Sequence, residues 1–331
     1  MASHKSKTTT TADGELADSL RPVMERTHSP RVIDARDVGA RGLGLFRLDY
    51  DEALFQRNYK EPVLVARAGG VGAKLAIARA AGRWDTIGAD LVAAYVNELI
   101  CVGAEPLFFL PCLHGGELGP GPLAEIVKSI AEACTRAGCS LLDGDFATAS
   151  PATPALSGFA VGVVERRRVL DGRHTRPGDV VIGLSSDGLH SQGLELARPV
   201  LDADELLRPT RLYAPGVLDV LGAYRVKRVV KAMAHIADGG LGGPWPAVLP
   251  EGLAVRLRRG SWDIPPIFQL LADRGGLDNI EMMNTFNMGV GFVMIVAPNF
   301  AKPVMARLRH HGERCGIIGK IVKGEGRLEW A

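Results

Sequence analysis

Apolar residues along this chain recur at two spacings, one helical and one strand-like, and the two alternate. Leu16, Leu20, Val23 and Met24 fall on one helical face across 15–27. Gly39, Gly42 and Gly44 punctuate a loop leading to Leu45-Phe46. Pro62–Arg67 is a short apolar run between turn residues, predicting a strand that leaves through Gly69-Gly70-Val71-Gly72-Ala73-Lys74. Residues 85–102 predict a helix with Ile87, Leu91, Ala94, Tyr95 and Leu99 on one face, ending at Gly103. Pro106–Leu110 reads as a strand, 122–137 as an amphipathic helix stopped by Gly138, and Leu156–Val164 as a strand apolar on both faces.

A second half begins near 170. Asp179–Leu184 predicts a strand opening into Ser185-Ser186-Asp187-Gly188. Residues 215–221 and 224–234 read as helical, 239–243 as a glycine-rich turn, and Gly289–Val296 and Gly316–Val322 as strands. The organisation expected is α/β: a disordered tail over 1–14, an N-terminal domain over 15–169 and a C-terminal domain over 170–331. The strand at 156–164, apolar on both faces, predicts a sheet covered by a partner, hence a homodimer.

Composition narrows the functional classes. A net charge of +2 gives no footprint for nucleic acid. The basic runs Arg166–Arg168 and Arg256, Arg258, Arg259 read as solvated faces, with attraction of phosphate as the alternative. The five cysteines contain no CxxC pair, so neither a disulfide framework nor a zinc site is indicated, and a reducing cytoplasm fits. The polar, Thr-rich start has no apolar signal region, and no run is long enough to predict a membrane span.

Five clusters carry candidate chemistry. The Gly69–Lys74 turn, with Gly70 and Gly72 before Lys74, can cradle phosphate through backbone N–H groups, though it is not a GxxxxGK[ST] loop. Asp90, Asn97 and Glu98 are polar oxygens on an otherwise apolar helix and suit a hard cation. Asp143 and Asp145 flank a glycine at a strand end and suit Mg²⁺ or a plain turn. His190 and Ser191 sit in a glycine-bounded loop, where an imidazole titrating near neutrality could polarise or protonate a substrate; His235 is a second such group. Asn287 precedes a glycine-flanked strand and could fix a ligand by hydrogen bonds.

Taken in order, Glu61–Val65, Gly69–Leu75, Asp85–Leu99, Gly103–Leu110, Gly138–Asp145, Gly158–Glu165, Ser185–Gly193, Leu206–Tyr213, His235–Pro250 and Thr285–Gly291 resemble the motifs of the phosphoribosylformylglycinamidine cyclo-ligase (AIR synthetase) family. The resemblance covers roughly 45–325. It implies a two-subdomain α/β fold in which N-terminal sheets pair across a homodimer, with a C-terminal mixed sheet carrying helices. It also implies a cytoplasmic enzyme that uses ATP and Mg²⁺ near the dimer interface to close formylglycinamidine ribonucleotide to aminoimidazole ribonucleotide. On that alignment His190, His235 and Asn287 are the catalytic candidates, and Gly70, Gly72, Lys74, Asp90 and Asn97 the ATP-binding ones. Asp90, Glu98, Asp143 and Asp145 are the metal candidates, while Ser191 and Arg211 meet the substrate.

The chain departs from the family pattern where that pattern is acidic. Gly69 replaces the turn's Asp and Ala73 its Thr; Glu98 lengthens an Asp; Asp145 and Thr148 stand for two Glu residues; Gly243-Pro244 replaces a Glu-Asn pair. These departures keep two further readings open: a paralogue with impaired or new activity on the same dimeric scaffold, and another ATP-dependent kinase or ligase of the superfamily.

Overall fold

The computed structural model describes residues 11–34, 44–48, 59–116, 118–147 and 154–331. The tail over 1–10, the loop glycines Gly39 and Gly42, and Thr148 lie outside the described residues. The first helix, α1 (Thr11–Glu25), begins four residues before the expected 15. It leads to the short antiparallel pair β1 (Val32–Ile33) and β2 (Leu45–Phe46).

The N-terminal unit continues through β3 (Pro62–Gly70), α2 (Lys74–Ala81), α3 (Ile87–Cys101), β4 (Glu105–His114), α4 (Pro120–Ala137), β5 (Ser140–Leu141), β6 (Asp145–Ala147) and β7 (Ala155–Glu165). Its sheet runs β3-β7-β4-β5, with β6 also on β4. Antiparallel β3 and β7 hold register from Pro62 opposite Glu165 to Gly70 opposite Ser157. One face of the sheet packs on α3 and α4, where Phe109, Ala160 and Val164 are buried against Leu91, Val96 and Ile130. The two helices close tightly because position 88 is glycine: a Cβ there would stand 2.4 Å from the Ile126 carbonyl of α4. The other face of the sheet presents Leu64, 60% exposed, and, across the same face, Phe159, 37% exposed.

The C-terminal unit contains β8 (Val180–Ser185), α5 (Leu194–Ala197), α6 (Ala203–Leu206), α7 (Ala214–Ala223), β9 (Val230–His235), α8 (Trp245–Val248) and β10 (Leu253–Leu257). It ends with α9 (Pro266–Gly275), α10 (Asn279–Thr285), β11 (Val290–Val296), α11 (Ala301–His310), β12 (Cys315–Lys323) and β13 (Leu328–Trp330). Its sheet order is β13-β10-β12-β8-β11-β9, mixed, with only β10 and β13 parallel. The helix expected over 224–234 is corrected: α7 ends at Ala223 and Val230–His235 is a strand on β11. Val230, Ala232, Met233 and Ala234 are all buried there, and a short apolar run buried on both faces lacks the period that separates strand from helix. One apolar core spans both units, joining Leu91 and Val96 to Tyr213, Val217 and Phe292; a second lies behind the C-terminal sheet around Trp245, Val255 and Ile318.

Candidate functional site

The expected residues converge where α2 and α3 of the first unit meet the loop before α7 of the second. Lys74, the first residue of α2, and Asp90, one turn into α3, are fully buried, with the ammonium 2.7 Å from each carboxylate oxygen. Lys74 also donates to the Arg208 carbonyl at 2.7 Å and the His190 carbonyl at 3.4 Å. Asp90 accepts from both the backbone N–H and the hydroxyl of Thr210, each at 2.7 Å. Burial lowers the Lys74 pKa, and the charge and hydrogen bond of Asp90 oppose that shift.

Two turns along α3, the Asn97 amide donates to the Arg211 carbonyl at 2.8 Å and its oxygen accepts from the Tyr213 N–H at 3.0 Å. Asn97 also faces His235 Nε2 at 3.5 Å. The His190 ring lies 6.4 Å from that of His235, centroid to centroid. His190 has a left-handed backbone, φ 59°, uncommon outside glycine, and its Nε2 accepts from the Asp187 and Arg211 N–H groups at 3.2 and 3.4 Å. The ring proton therefore sits on Nδ1, which finds no acceptor, and His235 Nδ1 is likewise buried without a partner. Nδ1 of His190 faces Gly291, where a Cβ would come within 3.1 Å of it.

Burial first, then the charges of His235, Lys74 and Arg211, holds the His190 pKa well below the usual imidazole value; burial holds His235 at about 4. Both rings are neutral at physiological pH. The expectation that His190 titrates near neutrality is thus corrected: it is an N–H donor rather than an acid held in reserve.

The other expected residues are committed to the fold. Asn287 uses all its polar atoms, accepting from the Ser186 hydroxyl and Gly289 N–H and donating to the Gly188 carbonyl, each at 2.9 Å. Arg211 is clamped by Asp187 at 2.9 Å and Glu313 at 2.8 Å. Ser191 stands 3.5 Å from the Thr210 hydroxyl. Gly70 and Gly72 are exposed at the turn, and Gly72, φ 60°, has open space where a side chain would be.

The carboxylates do not gather. Glu98 pairs with Arg67 at 2.5 Å, Asp143 with Arg21 at 3.7 Å, and Asp145 with His114 at 3.1 Å, while Asp90 has Lys74. Among the described residues no three His, Cys, Asp or Glu side chains stand close enough to hold a metal. The donor set does not fit a resident ion, because the carboxylates stand apart and Glu98, Asp143 and Asp90 each already face an arginine or lysine. Nor is space left at position 69, where a Cβ would stand 2.3 Å from the Tyr95 hydroxyl. That hydroxyl donates to the Gly70 carbonyl at 2.8 Å. Sequence reasoning missed Tyr95, Arg67, Thr210, Asp187 and Glu313. Thr210 lay within a matched motif beside Arg211, and Asp187 beside the His190 loop; nothing in the pattern pointed to Glu313.

A two-domain α/β protein with a buried Lys–Asp pair and two neutral imidazoles at the domain seam is the class these features define. Family models described as AIR synthase related protein, N-terminal domain and C-terminal domain, match residues 50–164 and 176–331. The chain belongs to the AIR synthase related family. It is 41% identical over 331 residues to the phosphoribosylformylglycinamidine cyclo-ligase of Acetivibrio thermocellus, covering 94% of each chain. Against the protein of that name from Myxococcus xanthus it is 42% identical over 338 residues, covering 95% of this chain and 94% of the relative. Among solved structures, the hydrogenase maturation protein HypE in complex with ATP aligns with TM-score 0.69 at 17% identity, covering 98% of this chain and 92% of that one. E. coli HypE aligns with TM-score 0.67 at 21% identity, covering 96% and 93%. These two share the fold.

Proposed function

We propose that this chain is an ATP-dependent cyclo-ligase, closing formylglycinamidine ribonucleotide to aminoimidazole ribonucleotide with release of ADP and phosphate in purine biosynthesis. The observation that carries the reading is the match, near 40% identity and through both domains, to relatives named for that activity. In this chemistry the amide-type oxygen is phosphorylated, a nitrogen of the same substrate attacks the activated carbon, and phosphate leaves. The protein's share is to fold the substrate back on itself and stabilise charge.

The exposed turn of Gly70 and Gly72, between β3 and α2, is where the nucleotide phosphates bind. His190 and His235 hold two buried N–H donors without protein acceptors, suited to the oxygen of the reacting amide. Lys74, Asp90, Asn97 and Asn287 position these groups through the loops they bind. Ser191 and Arg211 border the same loop. Mg²⁺ enters as part of the nucleotide substrate. Glu98, Asp143 and Asp145 keep 35%, 33% and 68% of their side chains exposed and are the carboxylates able to meet it; Asp90 is sealed.

The protein works as a homodimer, its partner covering the sheet face that carries Leu64 and Phe159. All five thiols are free, which suits the reducing cytoplasm; among the described residues no helix is long and apolar enough to cross a membrane.

Two observations favour a second reading, a paralogue with weakened chemistry: the carboxylates are neutralised from within, and Tyr95 fills the space at Gly69. The deciding assay is ADP release from ATP and Mg²⁺ with and without formylglycinamidine ribonucleotide. Substrate-dependent release that falls in His190→Ala supports the cyclo-ligase. A folded, dimeric protein with no substrate-dependent release gives the ground to the paralogue.

A further inference from the structure

A well-formed cavity lies away from the histidines. It is a groove of about 600 Å³ on the far side of the domain seam. Asp90 lies near the start of α3, and Gly103 and Glu105, just past its end, line the groove. At about 1.5 Å per residue the two places are roughly 20 Å apart.

The groove gathers cations from both domains. Lys60, Arg167 and Arg168 come from the first, Arg225, Lys227 and Arg228 from the turn after α7 in the second. Two acids share the lining, Glu105 and Glu165. Both already accept protein hydrogen bonds: Glu105 from the Tyr59 hydroxyl at 2.8 Å, Glu165 from the Lys60 backbone N–H at 2.7 Å. Six cations and two carboxylates line the cavity, and Arg167 also stands 3.9 Å from Glu61 beside it, so positive charge remains in excess there. Arg168 makes no ion pair among the described residues. The two basic stretches lie about sixty residues apart in sequence, so neither alone marks the place.

Like charges facing each other across a concave wall raise one another's energy, and a multivalent anion relieves it. Guanidinium groups suit phosphate because they donate in a fork. The wall also carries apolar side chains, Leu218, Leu221 and Tyr224, and the volume lies in the range of small-molecule sites. We propose that this groove binds a phosphorylated small molecule of nucleotide size, its phosphates on arginines of both domains and its apolar part against Leu218 and Tyr224. A ligand bridging the two domains here favours one setting of the seam that also carries Lys74 and His235. The groove is therefore placed to act as an effector site.

Calorimetry with inorganic tripolyphosphate at fixed salt tests this. Saturable binding should weaken by about tenfold or more in Arg168→Glu/Arg228→Glu, the scale of one lost charge-assisted hydrogen bond. Arg258→Glu/Arg259→Glu, the same charge change on another basic run, should bind as wild type. The proposal is overturned by any of three results: no saturable binding to wild type at millimolar anion, a smaller loss in the groove variant, or an equal loss in the control variant, which would mean diffuse attraction. None of these bears on substrate-dependent ADP release, so the cyclo-ligase reading stands or falls separately.

Discussion

The ammonium of Lys74 lies 2.7 Å from both carboxylate oxygens of Asp90 and 2.7 Å from the Arg208 carbonyl, with no exposed surface on the lysine. A charge pair so placed costs much to desolvate and far more to break. Lys74→Met or Asp90→Ala should each lower unfolding stability by about 3–5 kcal/mol, because the surviving charge is buried alone. The double variant Lys74→Met/Asp90→Leu should cost less than the sum of the singles. Urea unfolding of all the variants measures this, and additive losses would show that the two groups do not act as a pair.

Position 69 and Tyr95 should be coupled. Gly69→Asp places a side chain where the Tyr95 phenol stands, so it should destabilise by about 1–3 kcal/mol through overpacking. In a Tyr95→Ala background the same substitution should cost clearly less. A thermal double-mutant cycle reads the coupling; its absence would mean that the phenol moves aside freely.

The histidines set a pH dependence. Unfolded, each titrates near 6.5; folded, burial holds His235 at about 4 and His190 well below its usual value. Between those values the unfolded state binds more protons, so stability rises with pH and is lost as pH falls from about 6.5 towards 4. The slope is up to about 1.4 kcal/mol per pH unit for each histidine. Unfolding midpoints across this window should flatten in His235→Gln; a slope identical to wild type would assign the effect elsewhere.

The exposed sheet face should be a dimer contact. Leu64→Lys puts a charge at its most exposed apolar side chain. Light scattering at micromolar concentration should give the mass of a dimer for wild type and a shift towards monomer for the variant. A monomeric wild type would remove the assembly from the proposal.

Much of the fold could be read before the structure. The long period of Ile87, Leu91, Tyr95 and Leu99 and the apolar run at Pro62–Arg67 gave elements of the expected type, since each is long or bounded by turn residues. The Val230–His235 strand did not announce itself, because burial on both faces erases the alternation that marks a half-exposed strand. Helices α9 and α11 and strand β13 were not foreseen. At the site, residue types and spacing picked out Lys74, Asp90, Asn97 and the two histidines, all of which meet at the seam. They did not foresee which carboxylates would be neutralised. Arg67 and Glu98 are on different elements, and their pairing depends on how β3 packs on α3, which no local pattern records.

Several bonds that join the domains end on main-chain atoms of the 208–213 loop. Lys74 takes the carbonyl of Arg208, Asn97 that of Arg211, and the N–H groups of Thr210 and Tyr213 go to Asp90 and Asn97. A peptide group is the same whatever side chain it carries. The N-terminal half therefore grips the shape of this loop more than its letters, and drift can rewrite much of its chemistry while the halves stay docked. A chain built this way can change side chains along the loop without losing its form.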